Sequence, residues 1–76
     1  MARPTLQVRL AKAIRIRREA LGKSQEAFAD DIGVHRTYYG SVELGKQNLT
    51  LRSIEKIAEG LNVPVSSLFV TADKLT

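Results

Sequence analysis

The sequence of 76 residues has no cysteine, no tryptophan, a single histidine and only two prolines. Without cysteine there is no disulfide framework, no thiol nucleophile and no cysteine-ligated zinc. His35 alone does not begin a structural zinc site, which needs a full set of ligands, so neither metal nor cofactor is expected. No apolar stretch approaches the roughly 20 residues that cross a bilayer. The N-terminus carries basic residues without the apolar core of a signal peptide, so a cytoplasmic protein with no membrane partner is expected. No carboxylate pair, nucleophile with a base, or glycine-rich phosphate loop stands at a plausible spacing, which argues against an enzyme. The length suits one domain with a modest core, to which dimerisation would add.

What is present is charge, unevenly placed. The net charge is +4, and residues 1–23 hold seven basic side chains (Arg3, Arg9, Lys12, Arg15, Arg17, Arg18, Lys23) against one acidic, Glu19. The remainder is slightly acidic. Such clustering attracts polyanions, and it equally describes a solvated helix face.

Hydrophobic periodicity predicts five helices and no strand. The first spans about 5–21, with Leu6, Leu10, Ala13, Ile14 and Leu21 on one stripe and Gly22 as its stop. Arg17 falls near the centre of that stripe, where its stem can be covered. Arg18 at its flank calls for a carboxylate partner. The second helix starts at Ser24, a good N-cap, buries Ala27, Phe28 and Ile32, and ends at Gly33. The third runs from about His35 to Leu44, with Tyr39, Val42 and Glu43 inward. Thr37, Gly40, Ser41 and Leu44 face outward, flanked by Arg36 and Tyr38. Thr50 caps a fourth helix with a stripe of Leu51, Ile54, Ile57, Ala58 and Leu61; Gly60 within it is unfavourable unless a neighbour needs the space. Pro64 opens a short fifth helix holding Val65, Leu68 and Phe69, and Thr71–Thr76 reads as a frayed tail.

Two short helices joined by a tight glycine turn, with another helix before them, make a helix-turn-helix candidate over about 24–45. One exposed turn of helix fits the major groove, about 12 Å wide, while the preceding helix aims its N-terminus at a phosphate. The run Ser24-Gln25-Glu26-Ala27-Phe28-Ala29, then Gly33-Val34, then Val42-Glu43-Leu44-Gly45-Lys46 resembles the phage-repressor (XRE) helix-turn-helix family. The likeness extends through Ile54, Ile57, Ala58, Leu61, Val63, Leu68 and Phe69. Arg36-Thr37-Tyr38, Gln47-Asn48-Leu49-Thr50 and Ser53-Ile54-Glu55 are most similar to controller proteins of restriction–modification systems. The resemblance implies an all-α, five-helix, lambda-repressor-like domain over 1–76, with a core of about 6–70. It also implies a regulator of transcription that binds double-stranded DNA. Four residues depart from it: Tyr39 and Lys23 stand where aliphatic residues are usual, Gly40 where a polar residue is, and Leu44 where an arginine is frequent.

Arg36 is the sharpest candidate for reading a base, because arginine can bond O6 and N7 of guanine together; a phosphate contact or a plain surface charge is the alternative. Thr37 offers a methyl or hydroxyl to a base edge, or caps its own helix, and Ser41 is a weaker base candidate. Tyr38 suits a phosphate bond or packing on the first helix, and His35 an N-cap or a phosphate. Ser24, Gln25, Lys46, Asn48 and Ser53 complete the expected backbone contacts, at helix starts and in the loop after the third helix. The resemblance implies that Arg18 and Glu43 form an ion pair joining the first helix to the third. Arg9, Lys12 and Arg15 are expected to be solvated.

Leu61, Val63, Val65, Leu68 and Phe69 offer more apolar surface than one small core needs. They read as a homodimer interface or as cover for the monomer core; the resemblance favours the first. A two-fold dimer places its third helices about 34 Å apart, matching a pseudo-palindrome with half-sites about 10 bp apart. Near a promoter such a dimer can block RNA polymerase or contact it. No part of the chain is spare for a small-molecule sensor. Rival readings are an antitoxin-like adaptor for a protein partner, a phage or prophage repressor, and a non-specific nucleoid protein.

Overall fold

A computed structural model describes residues 2–75 as five helices. These are α1 (Leu6–Ala20), α2 (Gln25–Ile32), α3 (Arg36–Glu43), α4 (Leu51–Leu61) and α5 (Val65–Lys74). The starts of α1, α2 and α4 are closed by hydroxyls: Thr5, Ser24 and Thr50 accept from Val8, Ala27 and Ser53 N–H groups. Gly33, at φ 71°, ends α2 in the left-handed region, and the chain turns within two residues into α3.

Helices α1 and α5 lie together along one side, and α2, α3 and α4 close the other. Phe28, Tyr39, Ile14, Val42 and Leu68 are fully buried at the centre, with the Phe28 and Tyr39 rings 5.1 Å apart. Gly60 is explained by close approach. A Cβ there would lie 2.4 Å from Ile32 Cγ2, so the missing side chain lets α4 meet α2.

Several sequence expectations need correction. On α2 the buried set is Phe28, Ala29 and Ile32, and Ala27 is exposed. Residues 28, 29 and 32 make a tighter helical stripe than 27, 28 and 32 do. Leu6, Leu21 and Leu51 have the right phase but are 45%, 45% and 82% exposed, because the helix ends overhang the core. Residues 71–74 are not frayed: α5 continues to Lys74 and Ala72 is fully buried. Thr76 lies outside the described residues.

Arginines hold that last turn in place. Arg3 donates to the Asp73 and Leu75 carbonyls at 2.8 and 3.0 Å. Arg9 is not solvated as expected; it donates to the Pro4 carbonyl at 3.0 Å, to the Ala72 carbonyl at 3.3 Å and to the Asp73 carboxylate at 3.4 Å. The carbonyls at a helix C-terminus lack partners and carry negative dipole, so arginine suits them. Arg17 is half-buried and reaches Thr71 Oγ1 at 3.3 Å. No described helix is long and apolar enough to cross a membrane.

Candidate nucleic-acid interface

The outward side of α3 is fixed from beneath by a buried polar network. Arg18 on α1 donates through Nε and Nη2 to the two oxygens of Glu43 at 2.6 and 2.9 Å, and through Nη1 to the Lys23 carbonyl at 2.7 Å. Glu43 also accepts from Gln25 Nε2 at 2.9 Å and from the Tyr39 hydroxyl. Among the described residues no buried side-chain polar atom lacks a partner. A fully satisfied network of this kind specifies one arrangement of its helices, whereas a half-satisfied one would be costly.

The charges follow from those contacts. Burial pushes the Glu43 carboxyl up, but donors from Arg18, Tyr39 and Gln25 outweigh it, and the group lies below its ordinary range. The hydrogen bond to Glu43 raises Arg18. Burial first, and then the bond to Glu43, drive the Tyr39 phenol well above its ordinary value, so it remains a donor.

At the tip of α3, His35 Nδ1 accepts the Thr37 N–H at 3.0 Å, so the imidazole caps the helix and the Thr37 side chain is left free and exposed. Arg36 is exposed and meets Glu26 at 3.2 Å. Ser41 is more engaged than expected: its hydroxyl donates to the Tyr38 carbonyl and accepts from Gln47 Nε2 at 2.9 Å, tying α3 to the following loop. Lys46 is exposed just beyond, and Leu44 is 68% exposed on the same side.

The remaining expected contacts separate. Ser24 uses its hydroxyl as the α2 cap, and the Gln25 carboxamide turns onto α3, with Oε1 3.7 Å from where a Gly40 Cβ would stand. Tyr38 is half-buried and lines a cavity of about 240 Å³ with Ser53, Arg52 and Lys56 of α4. Asn48 is exposed at a groove of about 330 Å³ shared with Leu6, Leu49, Ile54 and Phe69. Of the expected interface residues, Leu61 and Leu68 are buried in the core of this chain, at 2% and 0% exposure, so neither offers area to a second copy. Val63, Val65 and Phe69 are half-buried.

Sequence reasoning overlooked the parts played by Glu26, Gln47 and Tyr39. Only Tyr39 gave a signal, as a phenol at an inward position four residues before a buried carboxylate, where a helix brings them together.

A helix-turn-helix family profile matches residues 14–68. The control protein C.MunI of a Mycoplasma species is 44% identical over 63 residues, covering 83% of this chain and 85% of that protein. Control protein C.BamHI of Bacillus amyloliquefaciens is 37% identical over 67 residues, or 84% of this chain and 83% of that one. The crystal structure of the restriction–modification controller protein C.AhdI from Aeromonas hydrophila superposes with a TM-score of 0.78 at 37% identity, covering 82% of this chain and 94% of that one. The chain therefore belongs to the helix-turn-helix family, a class of non-enzymatic DNA-binding regulators. Within it, this is a transcriptional regulator of phage-repressor (XRE) type, close to the restriction–modification controller proteins.

Proposed function

We propose that the protein binds a pseudo-palindromic DNA site as a homodimer and controls transcription within a restriction–modification system, its own expression included. The observation that carries this reading is the outward face of α3. It is braced by the Arg18–Glu43 pair, capped by His35 and tipped with exposed Arg36 and Thr37. A rigid helix with a free polar tip is what reading base edges in a major groove requires. Arg36 and Thr37 read bases, with Ser41 in support. Ser24, Gln25, His35, Tyr38, Lys46, Asn48 and Ser53 contact phosphates or position those that do.

The dimer face centres on half-buried Phe69 and the groove it lines with Leu6 and Leu49. Val63 and Val65 extend it. A two-fold axis through this face would present both α3 helices to one side of a duplex. RNA polymerase is the further partner of a dimer bound at a promoter.

The test is selection of bound duplexes from a random library at moderate salt. The expected result is a pseudo-palindrome with half-sites about one helical turn apart. A flat result would overturn specific recognition. One observation favours a second reading, an adaptor for a protein partner: Leu44, the residue that ends α3, is 68% exposed. Binding to DNA weakens steeply with salt through counterion release, and an apolar protein contact does not.

A further inference from the structure

Arg36 is the first residue of α3 and Glu26 lies in the first turn of α2. Their side chains meet between Nη1 and Oε2 at 3.2 Å, and both are about two-thirds exposed. So wet a pair contributes little stability. An acidic residue near a helix start also favours that helix through its dipole. That accounts for the residue type, not for the contact: the carboxylate is joined to the cation at the tip of the neighbouring helix.

The contact takes one end of the guanidinium. Glu26 comes nearest at Nη1, as a charge contact and not a directed hydrogen bond, which leaves the Nε–Nη2 edge the farther from the carboxylate. That edge has the two-donor geometry that matches O6 and N7 of guanine, or two oxygens of a phosphate. These two targets differ in charge. A phosphate carries a full negative charge and occurs along every duplex, whereas guanine offers two directed acceptors and no net charge. A carboxylate beside the guanidinium cancels much of its long-range attraction to phosphate and itself repels phosphate. It leaves the directed bonds to guanine available.

We propose that Glu26 is a positioning residue that sets the selectivity of Arg36. It pairs with the guanidinium on its Nη1 side, leaves the Nε–Nη2 edge for the duplex and suppresses capture of that edge by phosphate. The proposal rests on the DNA-binding reading of α3 and deepens it. Discrimination between specific and non-specific duplex is then built partly by a residue that makes no attractive contact with DNA, in keeping with specificity arising as a difference of affinities.

The experiment compares Glu26→Gln with the unaltered protein on its selected operator and on a scrambled duplex, across a range of salt. Glutamine keeps the shape and removes the charge. Affinity for the scrambled duplex is expected to rise roughly two- to fivefold, the scale of one exposed ion pair, and affinity for the operator to rise less. The salt dependence on scrambled duplex should steepen by about one phosphate contact. In an Arg36→Ala background the same substitution should leave the specificity ratio unchanged. An equal gain on both duplexes, an unchanged ratio, or the same shift without Arg36 would overturn the proposal. An unaltered protein with no sequence preference would remove the DNA reading itself, a failure seen before any variant is compared. Loss of the favourable helix-start charge moves thermal stability, not the ratio, so a purely structural role is told apart.

Discussion

Glu43 receives four hydrogen bonds from three side chains, drawn from α1, α2 and its own helix. Replacing it with glutamine puts an amide N–H where Arg18 or Tyr39 now donates and leaves the Arg18 cation buried without its counter-charge. Breaking such a pair from one side costs about 3–5 kcal/mol, a large share of the roughly 5–15 kcal/mol that holds a domain together. We expect Glu43→Gln to lose that much in urea unfolding. Because the folded-state carboxyl lies below its ordinary 4.5, its contribution is present above that value and is lost as pH falls through the depressed one. The unaltered protein should therefore lose stability in acid, and the variant should lack that component. Tyr39 works in the opposite sense: its raised value gives stability that is full below the ordinary 10 and is lost in alkali. Arg36 belongs to the same scale but to binding. Arg36→Ala should relax base preference at one position per half-site, by about 1–3 kcal/mol, with the fold intact. Unaltered preference in a library selection would remove that assignment.

At the scale of the element, α4 shows how a residue that weakens a helix by itself can be required by its neighbours. Alanine at Gly60 would add up to about 1 kcal/mol of helix propensity. The added Cβ, however, would fall 2.4 Å from Ile32 Cγ2 and 3.1 Å from the Phe28 ring, both in the core. Overpacking of this kind costs about 1–3 kcal/mol, so Gly60→Ala should be net destabilising by thermal or urea unfolding. A gain in stability would show that α2 and α4 separate freely. The sequence foretold α4 and its cap Thr50, since both are local properties of the chain. It did not foretell that Leu51 would stand 82% exposed, because phase says which way a side chain points and not where the core ends. The length of α5 was hidden for a related reason. Its last turn is stabilised by Arg3 and Arg9, more than 60 residues away in sequence.

For the whole molecule, the question is what covers the groove beside Phe69. Phe69→Glu places a charge on that face while leaving Leu68 and Ala72 to hold α5 against the core. The variant should sediment as a monomer with its helix content retained and should bind DNA weakly, since two half-sites no longer act together. A dimer that survives would place the two-fold axis elsewhere. The basic excess of the N-terminal third acts at this scale too, though not as a uniform binding surface. Arg9 and Arg18 are engaged in the fold, and Arg15 pairs with Glu19 at 3.5 Å.

The sequence by itself determined five helices, the caps of α2 and α4, the glycine turn between α2 and α3, and the family. Each of these is written in local period, in capping chemistry or in short ordered motifs. The partnership of Arg18 with Glu43 was foreseen through family resemblance, not through periodicity. Only the tertiary structure decided that Gln25 and Tyr39 complete that pair, that Glu26 meets Arg36, and that Leu61 and Leu68 belong to this chain's own core. Those outcomes depend on distances between helices far apart along the chain. Such distances are set when several faces compete for one small core, and no local pattern records them.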